Sequence, residues 1–150
     1  MMVWIGDEPE ELTIRLFVDA DFAGCPYTLK STSGVHMDIQ GPDSRFPLSS
    51  GSNQQTSTAQ STPEAEIASA NNGMKTKGEA VRDLWPKLMA KYHEKDWETR
   101  IDVHEDNTTA ITAAATGKNQ TMKTGEKNFG VSNAWIHEMV SKGVYNFIHT

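Results

Sequence analysis

Leu16-Phe17-Val18-Asp19-Ala20-Asp21 is a β-forming apolar run that ends in acid. The wider stretch from Leu12 to Phe22 alternates weakly and predicts a strand running into Asp19. A carboxylate placed where a buried strand meets solvent is held rigidly and costs desolvation energy. Two further acids sit in comparable settings. Ile101-Asp102-Val103-His104-Glu105-Asp106-Asn107 reads as a strand from Thr99 to Glu105 delivering Asp106, and Ser61-Thr62-Pro63-Glu64-Ala65-Glu66 reads as a helix start carrying Glu66. If Asp19, Glu66 and Asp106 converge, their oxygens suit hard divalent cations such as Mg²⁺. Two such ions about 3.5–4 Å apart are a standard device for cutting phosphodiesters.

The elements between these acids follow from periodicity and turn residues. Gly24-Cys25-Pro26 marks a turn, and Ser33 to Gln40 sets Val35, Met37 and Ile39 against His36 and Asp38, a half-buried strand. Gly41-Pro42-Asp43 turns the chain again, and Arg45 to Ser50 completes an antiparallel meander. Gly51 to Thr62 is rich in Ser, Thr, Gln and Asn and reads as a loop. Ser61 or Thr62 is a good N-cap, Pro63 suits a first helical turn, and Glu64 favours the positive end of the helix dipole. From Glu66 through Ala70, Val81, Leu84, Trp85, Leu88 and Met89 the spacing gives one long amphipathic helix or two, weakened by Asn71-Asn72-Gly73 and Gly78, with Pro86 at a kink. After the Asp106 strand come a small-residue helix over 107–116, a polar loop over 117–130, a helix over 131–141 ended by Lys142-Gly143, and a last strand over 144–148. The order β-β-β-α-β-α-α-β predicts an α/β fold with a mixed sheet flanked by helices.

Composition narrows the function classes. At 150 residues the chain reads as one domain, residues 12–150, behind an acidic lead over 1–11 with Val3-Trp4-Ile5 as its ordered part. Cys25, the single cysteine, precludes an internal disulfide and fits a reducing compartment. No window is apolar enough for a membrane span, and the acidic start does not resemble a signal peptide, so the expectation is a non-secreted chain that does not engage membranes. The sequons at Asn107 and Asn119 are discounted accordingly. A formal charge of −6 argues against tight autonomous nucleic-acid binding, although bound cations invert the local potential around carboxylates. Lys118, Lys123 and Lys127 form the best candidate basic patch, or are solvated loop lysines. His36, His93, His104 and His137 show no zinc spacing. Trp85 and Trp135 read as core anchors, and Met74, Met89 and Met139 as packing residues.

Taken alone, Asp19-Ala20-Asp21 after an apolar strand also resembles the first motif of haloacid-dehalogenase-type phosphatases, with Asp19 as nucleophile and Asp21 as general acid. That family usually has Thr or Val two residues after the second Asp, where this chain has Ala23, and it needs a lysine and a downstream acidic pair that His104-Glu105-Asp106 serves only loosely.

The wider context resembles something else. Val18-Asp19-Ala20-Asp21-Phe22-Ala23-Gly24, Lys30-Ser31-Thr32-Ser33-Gly34, Ser61-Thr62-Pro63-Glu64-Ala65-Glu66-Ile67-Ala68 and Glu105-Asp106-Asn107-Thr108-Thr109-Ala110 occur in that order. Smaller matches follow in Trp85-Pro86-Lys87-Leu88, Lys123-Thr124 and Trp135-Ile136-His137-Glu138-Met139-Val140. Together they resemble the ribonuclease H domain of copia-type LTR retrotransposon polyproteins, from about residue 12 onward. The resemblance implies an RNase H-like fold with a five-stranded mixed sheet flanked by helices. It implies Asp19, Glu66 and Asp106 as catalytic metal ligands for two Mg²⁺ or Mn²⁺ ions, with Asp21 and Glu64 either auxiliary groups near the substrate or ordinary surface acids. Ser61, Thr62 and Asn107, beside those ligands, are candidates to contact RNA 2′-hydroxyls or are plain helix caps.

The family pattern places a fourth acidic ligand after the last strand, where this sequence reads Phe147-Ile148-His149-Thr150. His149 is the nearest stand-in, as ligand or proton carrier. The implied activity is hydrolysis of the RNA strand of an RNA/DNA hybrid, leaving a 5′-phosphate and a 3′-hydroxyl. The implied partner is the reverse transcriptase domain of the same polyprotein, in a cytoplasmic particle or the nucleus, with the isolated domain a monomer. The alternative is a catalytically weakened hybrid-binding or structural module.

Overall fold

The computed structural model describes residues 6–91, 96–118 and 131–150. Val3-Trp4-Ile5, His93, Lys123 and Lys127 lie outside them. A 3₁₀ turn, Pro9–Glu11, leads into β1 (Thr13–Asp21), β2 (Thr32–Gln40) and β3 (Arg45–Gln54). A long helical stretch follows, built of α1 (Thr62–Gly73), a π-helical turn (Met74–Gly78) and α2 (Glu79–Ala90). Then come β4 (Ile101–Glu105), α3 (Thr108–Thr116), α4 (Val131–Ser141) and β5 (Tyr145–His149). The strands form one sheet in the order β3-β2-β1-β4-β5. β1 is antiparallel to β2 and parallel to β4, and β4 is parallel to β5. This is the five-stranded mixed sheet with flanking helices that the sequence implies.

The core lies between one face of the sheet and the helices. Alternation in β1 turns Ile14, Leu16, Val18 and Ala20 inward, and β2 adds Val35, Met37 and Ile39. Ile101 and Val103 of β4 and Tyr145 of β5 complete that face. Ile67, Ala70, Met74, Trp85, Met89, Ala110, Ala113, Ala114 and Ile136 cover it from the helices. Trp85, Met74 and Met89 are therefore core, as expected, and Met139 packs against them. Trp135 is only partly buried, with the Lys75 ammonium 5.1 Å from its ring centroid.

One strand departs from the sequence reading, and two open points about the helices are decided. β3 runs to Gln54, four residues past the expected Ser50, so a third of the polar stretch taken as a loop is strand. It is one of the two edge strands of the sheet, mostly exposed, and tolerates Pro47 opposite the irregularity between Met37 and Asp38 of β2. Pro86 lies inside α2 without ending it.

A π turn joins α1 to α2, so of the one or two helices expected the continuous stretch is formed. The Tyr145 hydroxyl enters there, donating to the Met74 carbonyl at 3.3 Å and meeting Glu79 Oε1 at 2.9 Å. Gly78 makes room for it. A Cβ at that position would strike the Tyr145 hydroxyl and approach ring atom Cε1 to 2.9 Å.

Gly→Ala inside a helix ordinarily stabilises by about 0.5–1 kcal/mol. Here the sign inverts: Gly78→Ala is expected to destabilise by about 1–3 kcal/mol through overpacking against Tyr145. Urea unfolding of the two proteins checks this, and a variant as stable as the parent or more so contradicts it.

Candidate active site

The two central strands part company at one end. β1 pairs with β4 only as far as Phe17 and His104, whose rings stack at 4.5 Å and close that last rung. Beyond it β1 continues beside β2 to Asp21, while β4 continues beside β5 to Glu105. The fork leaves backbone groups of both strands open to side chains instead of to each other. Asp19 lies two residues past Phe17, and Asp106 two residues past His104.

α1 brings Glu66 to the fork. Its first turn is set as the sequence predicts: Ser61 Oγ accepts the Glu64 N–H at 3.4 Å, and Pro63 occupies the first turn. The helix lies close to the sheet because it presents small residues. Ala65 packs with Ala20 and Ala59, and a Cβ on Gly73 would come within 3.0 Å of the Val18 side chain. Ser69, on the same helical face as Glu66, donates its hydroxyl to the Asp19 carbonyl at 2.7 Å and lies 3.3 Å from the Gly34 carbonyl. The buried Gln55 amide donates to Ser33 Oγ at 3.0 Å and to the Ala65 carbonyl at 2.8 Å, tying β2 to the same helix. Neither Ser69 nor Gln55 stood out in the sequence, because each acts on a backbone group far along the chain.

The result is convergence. One oxygen from each of Asp19, Glu66 and Asp106 lies within 4.8 Å of the others, with Glu66 buried and both aspartates exposed. Burial, and then the charges of Glu105, Asp19 and Asp106, push the Glu66 carboxyl up from an ordinary 4.5 to about 8, against a lowering hydrogen bond from the Ala20 backbone. Glu66 Oε2 is buried and has no hydrogen-bond partner among the described residues.

The other nominated residues fall elsewhere. Asp21 is exposed, and its carboxylate lies against Gly24 in the β1–β2 loop, outside the cluster. Glu64 is buried and accepts the Gln60 N–H at 2.7 Å, a capping role. Asn107 caps α3, its Oδ1 accepting the Thr109 and Ala110 N–H groups at 3.0 Å each. Thr62 is exposed at the start of α1. His149 is exposed at the end of β5, beside Glu105 in register, and is not one of the clustered ligands. Of the basic patch, Lys118 alone is among the described residues, and it is exposed.

Glu105 is the acid that the sequence reading passed over. It continues the inward row of Ile101 and Val103 and is 1% exposed. Burial first, and then the charges of Asp106 and Asp19, raise its carboxyl to about 7, against a lowering hydrogen bond from the Asn107 backbone. An acid at the third inward position of an alternating strand was the available signal.

No protein-family model matches the chain, and no curated protein matches it in sequence. Solved structures do match. An RNase H1 isolated from compost by a metagenomic approach aligns with a TM-score of 0.57 at 14% identity, over 92% of this chain and 84% of that one. The chain has an RNase H-like fold. The crystal structure of that compost RNase H1 with an RNA/DNA hybrid aligns at 0.54 and 15%, over 92% and 85% of the two chains. The N-terminal RNase H domain of a Mycobacterium tuberculosis protein, fused to maltose-binding protein, aligns at 0.54 and 12%, over 92% and 86%.

The crowding has a measurable consequence. Glu66 and Glu105 hold protons in the folded chain at pH values where the unfolded chain has lost them. Stability is therefore full below about pH 4.5 as far as these two groups are concerned, and it falls as pH rises toward about 8. Thermal melting in chelator across that range is expected to show a falling Tm, which Glu66→Gln flattens. A Tm that rises across the window contradicts the assignment.

Proposed function

We propose that this chain is a divalent-cation-dependent endoribonuclease that hydrolyses the RNA strand of RNA/DNA hybrids. The observation that carries the reading is the meeting of Asp19, Glu66 and Asp106, from β1, α1 and the end of β4, within 4.8 Å. Three carboxylates at that separation, one buried with an unbonded oxygen and none paired with a basic side chain among the described residues, form an all-oxygen donor set that suits Mg²⁺ or Mn²⁺. The RNase H-like fold, and a neighbour crystallised with an RNA/DNA hybrid, support the substrate class.

Asp19, Glu66 and Asp106 would hold two cations between them, all three supplying oxygen donors. Such ions, when bound, lower the pKa of a water for attack and stabilise the leaving 3′-oxygen. The chain's own contribution is rigidity. Ser69 clamps the Asp19 backbone, the Asn107 cap fixes the turn after Asp106, and α1 carries Glu66 on a face packed against the sheet. Ser61, Thr62 and Asn107 flank these acids and are proposed to meet the RNA strand near its 2′-hydroxyls. The order of the four sequence motifs supports an origin in a copia-type retrotransposon polyprotein, where such a domain would work beside reverse transcriptase as a monomer.

Cleavage of a labelled RNA/DNA hybrid in Mg²⁺ or Mn²⁺ tests the reading. RNA-strand products are expected, with duplex DNA left intact. Asp19→Asn is expected to lower the rate by more than about 100-fold, since even outer groups of a metal site are worth about 10–100-fold. Binding without cleavage by the unmodified chain would favour the weakened module. Cleavage that persists in Asp19→Asn would remove the site.

A further inference from the structure

Glu105 occupies a position where packing alone asks for an apolar residue. Its two neighbours along the inward face of β4, Ile101 and Val103, are fully buried, and Glu105 itself is 1% exposed. Burying a carboxylate without a partner costs several kcal/mol, on the order of the stability a single mutation can remove. Among the described residues no basic side chain forms an ion pair with it.

Its two oxygens have different surroundings. Oε1 accepts the Asn107 N–H at 3.0 Å. Asn107 in turn caps α3 through Thr109 and Ala110, so Asp106 sits in the middle of a turn fixed at both ends. Oε2 is buried and has no hydrogen-bond partner among the described residues, and the same is true of Glu66 Oε2. Two buried carboxylates, each with an unbonded oxygen, suit a positive charge brought to this end of the sheet.

We propose that Glu105 is a fourth acidic member of the metal centre, acting from beneath the other three: it fixes the turn that presents Asp106 and supplies counter-charge for the second of two divalent cations. This rests on the reading that Asp19, Glu66 and Asp106 bind such cations. Charge balance supports it, since three carboxylates leave two divalent ions short of neutrality by one charge and Glu105 makes up the difference. Glu105 is a positioning residue. It lies outside the group whose ligand atoms are mutually within 4.8 Å, and it acts through Asp106, through Glu66 and through the field at the fork.

Calorimetric titration of Mn²⁺ into the full chain tests this apart from activity, with melting in chelator as a control on folding. The unmodified chain is expected to take up two ions. Glu105→Gln keeps the acceptor for the Asn107 N–H but not the charge. It is expected to retain one ion and to bind the second about 10–100-fold more weakly, with a Tm in chelator no lower than the parent. Glu105→Asp, which restores charge at the cost of fit, is expected to recover the second ion at least in part. If the Gln variant melts lower, the Asp variant decides, because a regained second ion supports the charge role and continued loss overturns it. A Gln variant that takes up two ions as tightly as the parent overturns the role of Glu105 alone. A parent that takes up none overturns the nuclease reading together with it.

Discussion

Carboxylates within 4.8 Å of one another repel, and a fold that keeps them there has to hold its backbone against that force. In this chain the resistance comes from the place where β1 and β4 diverge. The stacked rings of Phe17 and His104 end the pairing of the two strands, and each strand stays anchored on its outer side. Asp19 is fixed by β2 on one side and by the Ser69 hydroxyl from α1 on the other. The same helix carries Glu66, so a single element both clamps one acid and supplies the next. The site is thus a consequence of how closely α1 lies on the sheet, and that closeness depends on Ala65, Ala70 and Gly73 being small.

Repulsion also gives the site its chemical character. Buried Glu66, which also feels the charges of Glu105, Asp19 and Asp106, has its carboxyl pushed furthest, to about 8, and buried Glu105 follows at about 7. Without a counter-ion these groups keep protons near neutrality. A divalent cation would compete for the same oxygens, so metal uptake and proton release are coupled. On the proposed reading, bound cations would supply the positive potential that a net negative chain lacks when it meets a polyanion.

Much of this was legible in the sequence where the signal is local. Val35, Met37 and Ile39 alternate as a strand facing a core must, and they do face it. Ser61 and Pro63 mark the start of α1, and that is where it starts. Asp19 and Asp106 were read as acids at the ends of apolar runs, and both lie just past the point where β1 and β4 diverge. What was not legible depends on partners distant in the chain. Gly78 weakens a helix when read alone, yet it accommodates Tyr145 from the last strand. Ser69 looks like an ordinary helical serine until the Asp19 carbonyl is beside it. Polar residues of β3 read as a loop because an outer strand has little apolar surface to cover. Glu105 was overshadowed by the acid that follows it, although its parity with Ile101 and Val103 marked it as buried.

The central claim is spatial, that Asp19, Glu66 and Asp106 form one cradle for divalent cations. An anomalous difference map from a crystal of the chain soaked in Mn²⁺ tests it most directly. The account predicts a peak among the three carboxylates, within about 2.0–2.6 Å of oxygens from at least two of them, the range of hard-cation contacts. A map with Mn²⁺ bound elsewhere and nothing at the fork contradicts it.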